Sequence, residues 1–275
     1  MIINTREHIL TVKAQAGENS VTVFNGFVNL DDDRVICIAA RPGMGKTALA
    51  LQMALDYAQK IDKTVYIFSL ELTTEQIYDR MLISLAEVDS YSFREKSFSE
   101  EEKKKIEAAT CELKKMNLII DDEPRLSVKQ IEKKLEAVDD LGLVILDYFQ
   151  LIEPDQKMEK REEERYEIGR QIKILSRARK VPIVYTSQLT RTLEHRKDKR
   201  PKLFDLCDSG VLEYDVDTAC FLYREGYHGE YYDNNNTAEV IIPKNRPKDR
   251  HGNCGTVLLE WQGRFIKFRE KDKEN

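Results

Sequence analysis

From residue 34 onward the apolar positions fall into two alternating rhythms. Short unbroken apolar runs, rich in β-branched residues, read as buried strands at 34–40 (RVICIAA), 64–70 (TVYIFSL), 117–121, 142–147 (GLVILD) and 181–187. Between them lie stretches with helical spacing. The segment 46–60 carries Leu49, Met53 and Leu55 among its apolar positions, and 74–88 opens on Thr73 or Thr74 as a cap. A charged helix over 99–115 starts at Ser99 with Glu102 three residues on, the spacing of a capping box. Further helices are expected at 127–138 and 160–180. Repeated strand–helix units predict an α/β fold with a mainly parallel twisted sheet flanked by helices. The last third changes character. Runs at 218–223, 237–242, 255–260 and 264–269, separated by turn signals such as Asn234-Asn235-Asn236 and Gln262-Gly263, predict antiparallel strands at the C-terminal edge. Residues 1–30 are weakly patterned and read as an N-terminal arm, with a short edge strand at 21–28 or a partner-binding role. Residues 31–270 form one domain and 271–275 a charged tail.

Composition narrows the class. The 275 residues suffice for one sizeable core, and 41 % hydrophobic content excludes a disordered or fibrous chain. Lys and Arg number 44 against 49 Asp and Glu, a net charge of -5, so any nucleic-acid site must be a local basic patch. Five cysteines with no CxxC pair argue against a disulfide framework or a structural zinc site. Cys37 and Cys220, inside apolar runs, are expected in the core. The start of the chain shows no signal-peptide pattern, and no stretch has the roughly 20 apolar residues of a membrane helix, so a cytoplasmic protein without a membrane partner is expected.

The candidate chemistry begins between the first strong strand and its helix. Ala40-Arg41-Pro42-Gly43-Met44-Gly45-Lys46-Thr47 follows the phosphate-loop pattern GxxxxGK[ST], with Ala40 in place of the first glycine. Gly43 and Gly45 let backbone N–H groups curl toward a phosphate, and the helix beginning near Lys46 adds its positive end. Lys46 supplies a point charge, and Thr47 a hydroxyl for Mg²⁺. Asp147, at the end of the apolar run 143–147, is placed to orient a metal-bound water. Glu71 ends the second strand, where a carboxylate can polarise an attacking water or simply cap a helix. Gln188 ends another strand, where a neutral amide can sense a terminal phosphate or merely finish the strand. Together these imply a nucleotide hydrolase using ATP and Mg²⁺.

The same stretches resemble the C-terminal, RecA-like ATPase domain of DnaB-type replicative helicases. ARPGMGKT at 40–47 has that family's usual Ala first. FSLE at 68–71, LDYFQLI at 146–152, SQLTRTLEHRKDKRP at 187–201, DSGVLEYDVD at 208–217 and IIPKNRPKDRHGNCGTV at 241–257 match its further motifs, and the likeness runs from about residue 34 to 268. The resemblance implies a RecA-like phosphate-loop fold with Glu71 as general base, Asp147 as the Mg²⁺ carboxylate and Gln188 as phosphate sensor. It also implies that Arg246 is an arginine finger reaching a neighbouring subunit's site, with Lys244 as its companion. Two departures stand out. About 33 residues precede the first core strand, too few for the family's N-terminal helical domain. Cys207, in Leu206-Cys207-Asp208-Ser209-Gly210, stands where the family motif has an arginine that contacts the DNA backbone, which should weaken binding and flatten its salt dependence.

Arg191, Arg196, Lys197, Lys199, Arg200 and Lys202, against Glu194 and Asp198, form the sharpest basic patch. With Gly210 it is the candidate DNA-binding surface, the stretch 191–202 read as a loop tracking single-stranded DNA in a ring or as a solvated loop. The acid- and arginine-rich helix over 160–180 reads as a solvated or inter-subunit face. The leading expectation is an ATP-dependent helicase motor acting in DNA replication as a homo-oligomer, hexameric if assembled, with a helicase loader or primase as further partners. The alternative is a stand-alone DnaB-like ATPase of a phage or mobile element that partners a helicase without unwinding DNA. A recombinase-like filament protein shares the core, but the motifs at 68–71 and 241–257 favour the helicase family.

Overall fold

The computed structural model describes residues 22–23, 28–30, 33–206, 215–227, 236–246 and 253–270. In chain order the elements are β1 (Thr22–Val23), β2 (Val28–Asn29), β3 (Val35–Ala40), α1 (Lys46–Ala58), β4 (Thr64–Ser69), α2 (Thr74–Ala86), α3 (Ser90–Arg94) and α4 (Glu100–Leu113). There follow β5 (Leu118–Asp121), α5 (Val128–Glu136), β6 (Leu141–Asp147), α6 (Arg161–Arg179) and β7 (Ile183–Gln188). The last third holds β8 (Thr218–Tyr223), β9 (Thr237–Asn245), β10 (Gly255–Gln262) and β11 (Lys267–Glu270). The predicted α/β pattern thus stands, with α3 as an added short helix. Its cap, Asp89, accepts hydrogen bonds from the Tyr91 and Ser92 amides. Thr73–Gln76 and Ser99–Glu102 both form reciprocal capping boxes, satisfying backbone groups that each helix start would otherwise leave bare.

Nine strands form one sheet in the order β11-β10-β9-β8-β3-β7-β6-β4-β5. The six from β8 to β5 are parallel, and β9, β10 and β11 extend the sheet antiparallel. Strands buried on both faces alternate strictly between two cores. Ile36, Ile38 and Ala40 of β3, with Leu143 and Ile145 of β6, meet α1, α2 and α4 on one face. Val35, Cys37 and Ala39, with Val144 and Leu146, meet α5 and α6 on the other. This double burial explains why these strands read as continuous apolar runs. Cys37 and Cys220 lie in these cores as expected, and the described cysteines are unpaired.

The edge strand expected at 21–28 is corrected. β1 and β2 are two-residue strands paired with each other, Val23 opposite Val28, in a separate two-stranded sheet. Val23 and Val28 are both buried in the same core. One straight strand would send residues five apart to opposite faces, so the chain must double back. Leu30 joins them in that core, so the described part of the expected arm is packed against the domain. Residues 1–21, 207–214 and 271–275 lie outside the described residues, and with them most of the arm, Cys207, Gly210 and the tail.

Edge strand β11 is held by a side chain imitating a strand. The Gln52 amide of α1 donates to the Phe268 carbonyl at 3.0 Å, and its oxygen accepts from the Phe268 N–H at 3.1 Å. Main-chain groups on an open edge are thereby satisfied from within the domain. Among the described residues, no helix is long and apolar enough to cross a membrane.

Candidate active site

The strand order decides which side chains meet. β3 and β4 are consecutive large strands, yet β7 and β6 lie between them, so the crossover through α1 passes over two strand ends. In the parallel register Ala40 stands opposite Gln188, and Ser69 opposite Asp147. The carboxyl ends of β3, β7, β6 and β4 therefore line up as Ala40, Gln188, Asp147 and Ser69. This is the edge at which open α/β sheets build their sites.

The phosphate loop rises from Ala40. Gly43 and Gly45 hold φ of 76° and 103°, a region L side chains rarely adopt, and Gly45 occupies the cap position of α1. Pro42 and Gly43 are exposed while Met44 is buried, so one side of the loop anchors and the other faces out. Gly45 also abuts the antiparallel extension. A β-carbon there would lie 2.8 Å from the Phe268 ring and 3.4 Å from Trp261.

Thr47 donates its hydroxyl to Asp147 Oδ2 at 2.8 Å, joining the first turn of α1 to the end of β6. Thr186 of β7 donates to the other Asp147 oxygen. Asp147 is 2 % exposed, so both carboxylate oxygens are fixed by neighbouring hydroxyls. Burial pushes the Lys46 ammonium below its ordinary value, while the charges of Asp147 and Glu71 pull it back up and Arg41 pushes it down. Lys46, Asp147 and Glu71 are thus within electrostatic reach of one another, with Glu71 exposed just beyond β4. A partly desolvated lysine at a helix N-terminus, beside a hydroxyl–carboxylate pair, suits a polyphosphate chelated to a divalent cation.

Gln188 closes the row. Gln150, three residues past Asp147, donates its amide to Ser187 Oγ at 2.9 Å and to the Gln188 carbonyl at 3.2 Å, and accepts from the Gln188 N–H at 3.2 Å. Sequence reasoning quoted this residue within 146–152 but gave it no role, because its partners come from a strand 37 and 38 positions further along. Thr186 was missed for the same reason. Arg224 and Trp261 were also missed. The Arg224 guanidinium lies 4.9 Å above the Trp261 ring and reaches the Gly43 carbonyl at 3.4 Å, so both flank the phosphate loop. The available signal was that Trp261 is the chain's single tryptophan.

Lys244 and Arg246 lie elsewhere. Asn245 pairs with Thr218, which pairs with Ile36 near the start of β3, and the Arg246 N–H donates to the Asp217 carbonyl at 2.8 Å. They therefore sit at the amino edge of the sheet, separated from the phosphate loop by the length of β3, about 16 Å at ~3.3 Å per residue. Of the two, Arg246 is exposed, whereas Lys244 is 7 % exposed and within electrostatic reach of Asp215. The expectation of two basic side chains projecting together is corrected to one exposed arginine and one buried lysine.

The basic stretch is not an open loop either. Residues Arg191–His195 and Leu203–Asp205 form 3₁₀ turns. Arg196 donates to the buried Asp205 carboxylate at 2.7 Å and lies over the Phe204 ring. Arg200 makes a forked pair with Glu239, at 2.6 and 2.9 Å, over the Tyr223 ring. Glu239 holds the Arg200 pKa above the ordinary arginine value. Arg191 and Lys197 are exposed, and Lys199 is half-buried. The patch is real, with part of its charge locally balanced.

Comparison with known proteins agrees with this geometry. The model of the DnaB-like helicase C terminal domain family matches residues 22–270. The replicative DNA helicase DnaC of Bacillus subtilis (strain 168) is 35 % identical over 279 aligned positions, covering 98 % of this chain and 60 % of the relative. Replicative DNA helicase DnaB of Buchnera aphidicola subsp. Baizongia pistaciae is 38 % identical over 87 % of this chain and 52 % of its own length. The chain thus spans roughly half to three-fifths of these relatives. Among solved structures, an isolated ATPase domain superposes with TM-score 0.81 at 32 % identity, covering 88 % of this chain and 86 % of that one. A DnaB-like replicative helicase, described with its interactions with primase, gives TM-score 0.82 at 32 % identity, covering 88 % of this chain and 58 % of that one. The chain belongs to the family of DnaB-like helicase C-terminal domains, with the RecA-like ATPase fold of its structural neighbours.

Proposed function

We propose that this chain is an ATP-hydrolysing motor that works on single-stranded DNA in replication, as part of an oligomer. One observation carries the reading: Lys46, Thr47, Asp147, Glu71 and Gln188 gather at one edge of the sheet, while the exposed Arg246 stands at the opposite edge. A Mg²⁺–ATP complex fits the first group and would supply the phosphoanhydride to be cleaved. Lys46 binds the phosphate tail, and Thr47 and Asp147 hold the cation side. Glu71 is the base that orients a water and takes its proton, and Gln188 reads the terminal phosphate. Arg224 and Trp261 offer a flat cationic and aromatic surface for the base beside the phosphate loop.

Arg246 cannot serve its own site across the length of β3, so it acts on the site of a second copy. Arg191, Lys197 and Lys199 carry the DNA contact, with Arg196 and Arg200 shaping that surface. Loaders and primases are partners at the level of the family's proteins. The test is the mass of the protein in solution with ATP and Mg²⁺, with and without oligo-dT, alongside its ATPase rate. An oligomer whose hydrolysis rises with single-stranded DNA supports the motor. A monomer whose hydrolysis ignores DNA refutes it and leaves the helicase-partner ATPase.

A further inference from the structure

Arg41 of the phosphate loop does not point at open solvent. Its Nε donates to Glu194 at 2.7 Å and its Nη1 to the Leu189 carbonyl at 2.8 Å. Leu189 immediately follows the sensor position Gln188, and its N–H already donates to the Ala40 carbonyl at 3.1 Å. Glu194 lies within the 3₁₀ turn Arg191–His195, at the head of the basic stretch. One side chain thus ties the phosphate loop to both ends of the segment that leads from the sensor strand to the basic residues.

The guanidinium also lies within electrostatic reach of Lys46. It therefore faces two rival anions: the Glu194 carboxylate, present in the chain, and a phosphate tail arriving at Lys46. The existing pair is weak by construction. The Arg41 side chain is 11 % exposed and that of Glu194 40 %, and an ion pair with one partner so solvated holds little net energy. A polyphosphate offers several oxygens and more than one negative charge, and guanidinium binds phosphate in a fork.

Resting on the nucleotide reading above and deepening it, we propose that Glu194 is a positioning residue. It holds Arg41 against the basic segment while the site is empty, and nucleotide entry exchanges this carboxylate for phosphate, releasing the turn that carries Arg191. Arg41 is then a two-position element biased by the nucleotide. The state of the phosphate site reaches the basic surface through it, separately from the Gln188 side chain.

Amide hydrogen exchange across residues 189–200 of the full chain, read by mass spectrometry with and without AMP-PNP and Mg²⁺, tests this. Nucleotide affinity is measured in parallel by displacement of a fluorescent ATP analogue. In the unmodified protein, exchange in this segment rises roughly threefold or more when the analogue binds. Glu194→Gln shows the raised exchange already without nucleotide, gains nothing on binding, and keeps its affinity within about twofold. Asp198→Asn removes the same charge from the same segment without touching Arg41, and responds like the unmodified protein. A full nucleotide response in Glu194→Gln, or a segment that stays unresponsive while the analogue is bound, overturns the proposal. Absence of binding in the displacement assay would instead sink the nucleotide reading itself, and this proposal with it.

Discussion

Gly45→Ala is a sharp test of how the phosphate loop is built. Two costs arise at once. The backbone at Gly45 has φ of 103°, and an L residue in left-handed backbone costs about 1–2 kcal/mol. The new methyl would also lie 2.8 Å from the Phe268 ring, whose neighbour Trp261 is stacked on it at 4.6 Å between centroids. Phe268 is fully buried and its backbone is clamped by Gln52, so the ring has little room to yield. Overpacking of this kind costs about 1–3 kcal/mol. The sum is about 2–5 kcal/mol, read from urea unfolding at constant m-value. The two costs separate in a double-mutant cycle with Phe268→Leu, which removes the outer ring atoms. In that background the alanine should cost about 1–3 kcal/mol less, because only the backbone strain remains. Destabilisation below about 1 kcal/mol, or additivity within about 0.5 kcal/mol, would refute the account of the loop as wedged against the antiparallel extension.

Lys46→Ala should lower affinity for a fluorescent ATP analogue by ~10–150-fold, the loss of a charge-assisted contact of about 1.5–3 kcal/mol; affinity within a factor of two of the parent would remove Lys46 from the phosphate site. Arg246→Ala should leave nucleotide affinity intact and abolish the rise of turnover with protein concentration, so unchanged turnover in concentrated protein would exclude the finger role. Burial raises the Asp56 carboxyl from 3.8 to about 7, with Lys60 and Lys267 opposing and Glu270 reinforcing the shift. The folded state then binds a proton that the unfolded chain has released, so stability falls as pH rises from about 4 to about 7, by at most ~4 kcal/mol. Asp56→Asn should flatten that part of a denaturation-midpoint-versus-pH curve; an unaltered slope would mean the buried carboxyl is not the cause.

Much of the molecule was legible along the chain because its signals are local. The runs at 34–40 and 142–147 are apolar throughout since both faces of those strands are covered. The GxGKT turn declares itself because its glycine conformations and helix start need only adjacent residues. Thr73–Gln76 and Ser99–Glu102 announce their helices for the same reason. The fate of the basic residues was not legible. Arg196 and Arg200 look alike in the sequence as candidate DNA contacts, but Asp205 and Glu239 come from other elements and hold them. Lys244 and Arg246, two apart on one strand, alternate between buried and exposed, and only the packing around Asp215 reveals which is which. Val23 and Val28 could fit one strand on paper; their shared burial required two.

By itself the sequence determined the kinds of element, the phosphate loop and the family, since periodicity and motif spacing are properties of neighbouring positions. The order of strands was decided by tertiary structure alone. It sets Gln188 beside Ala40 and Asp147 beside Ser69, and turns Arg41 toward Glu194 across more than 150 positions. Sheet order is a choice among long-range pairings whose energies depend on the whole buried surface, so no local window of residues contains it.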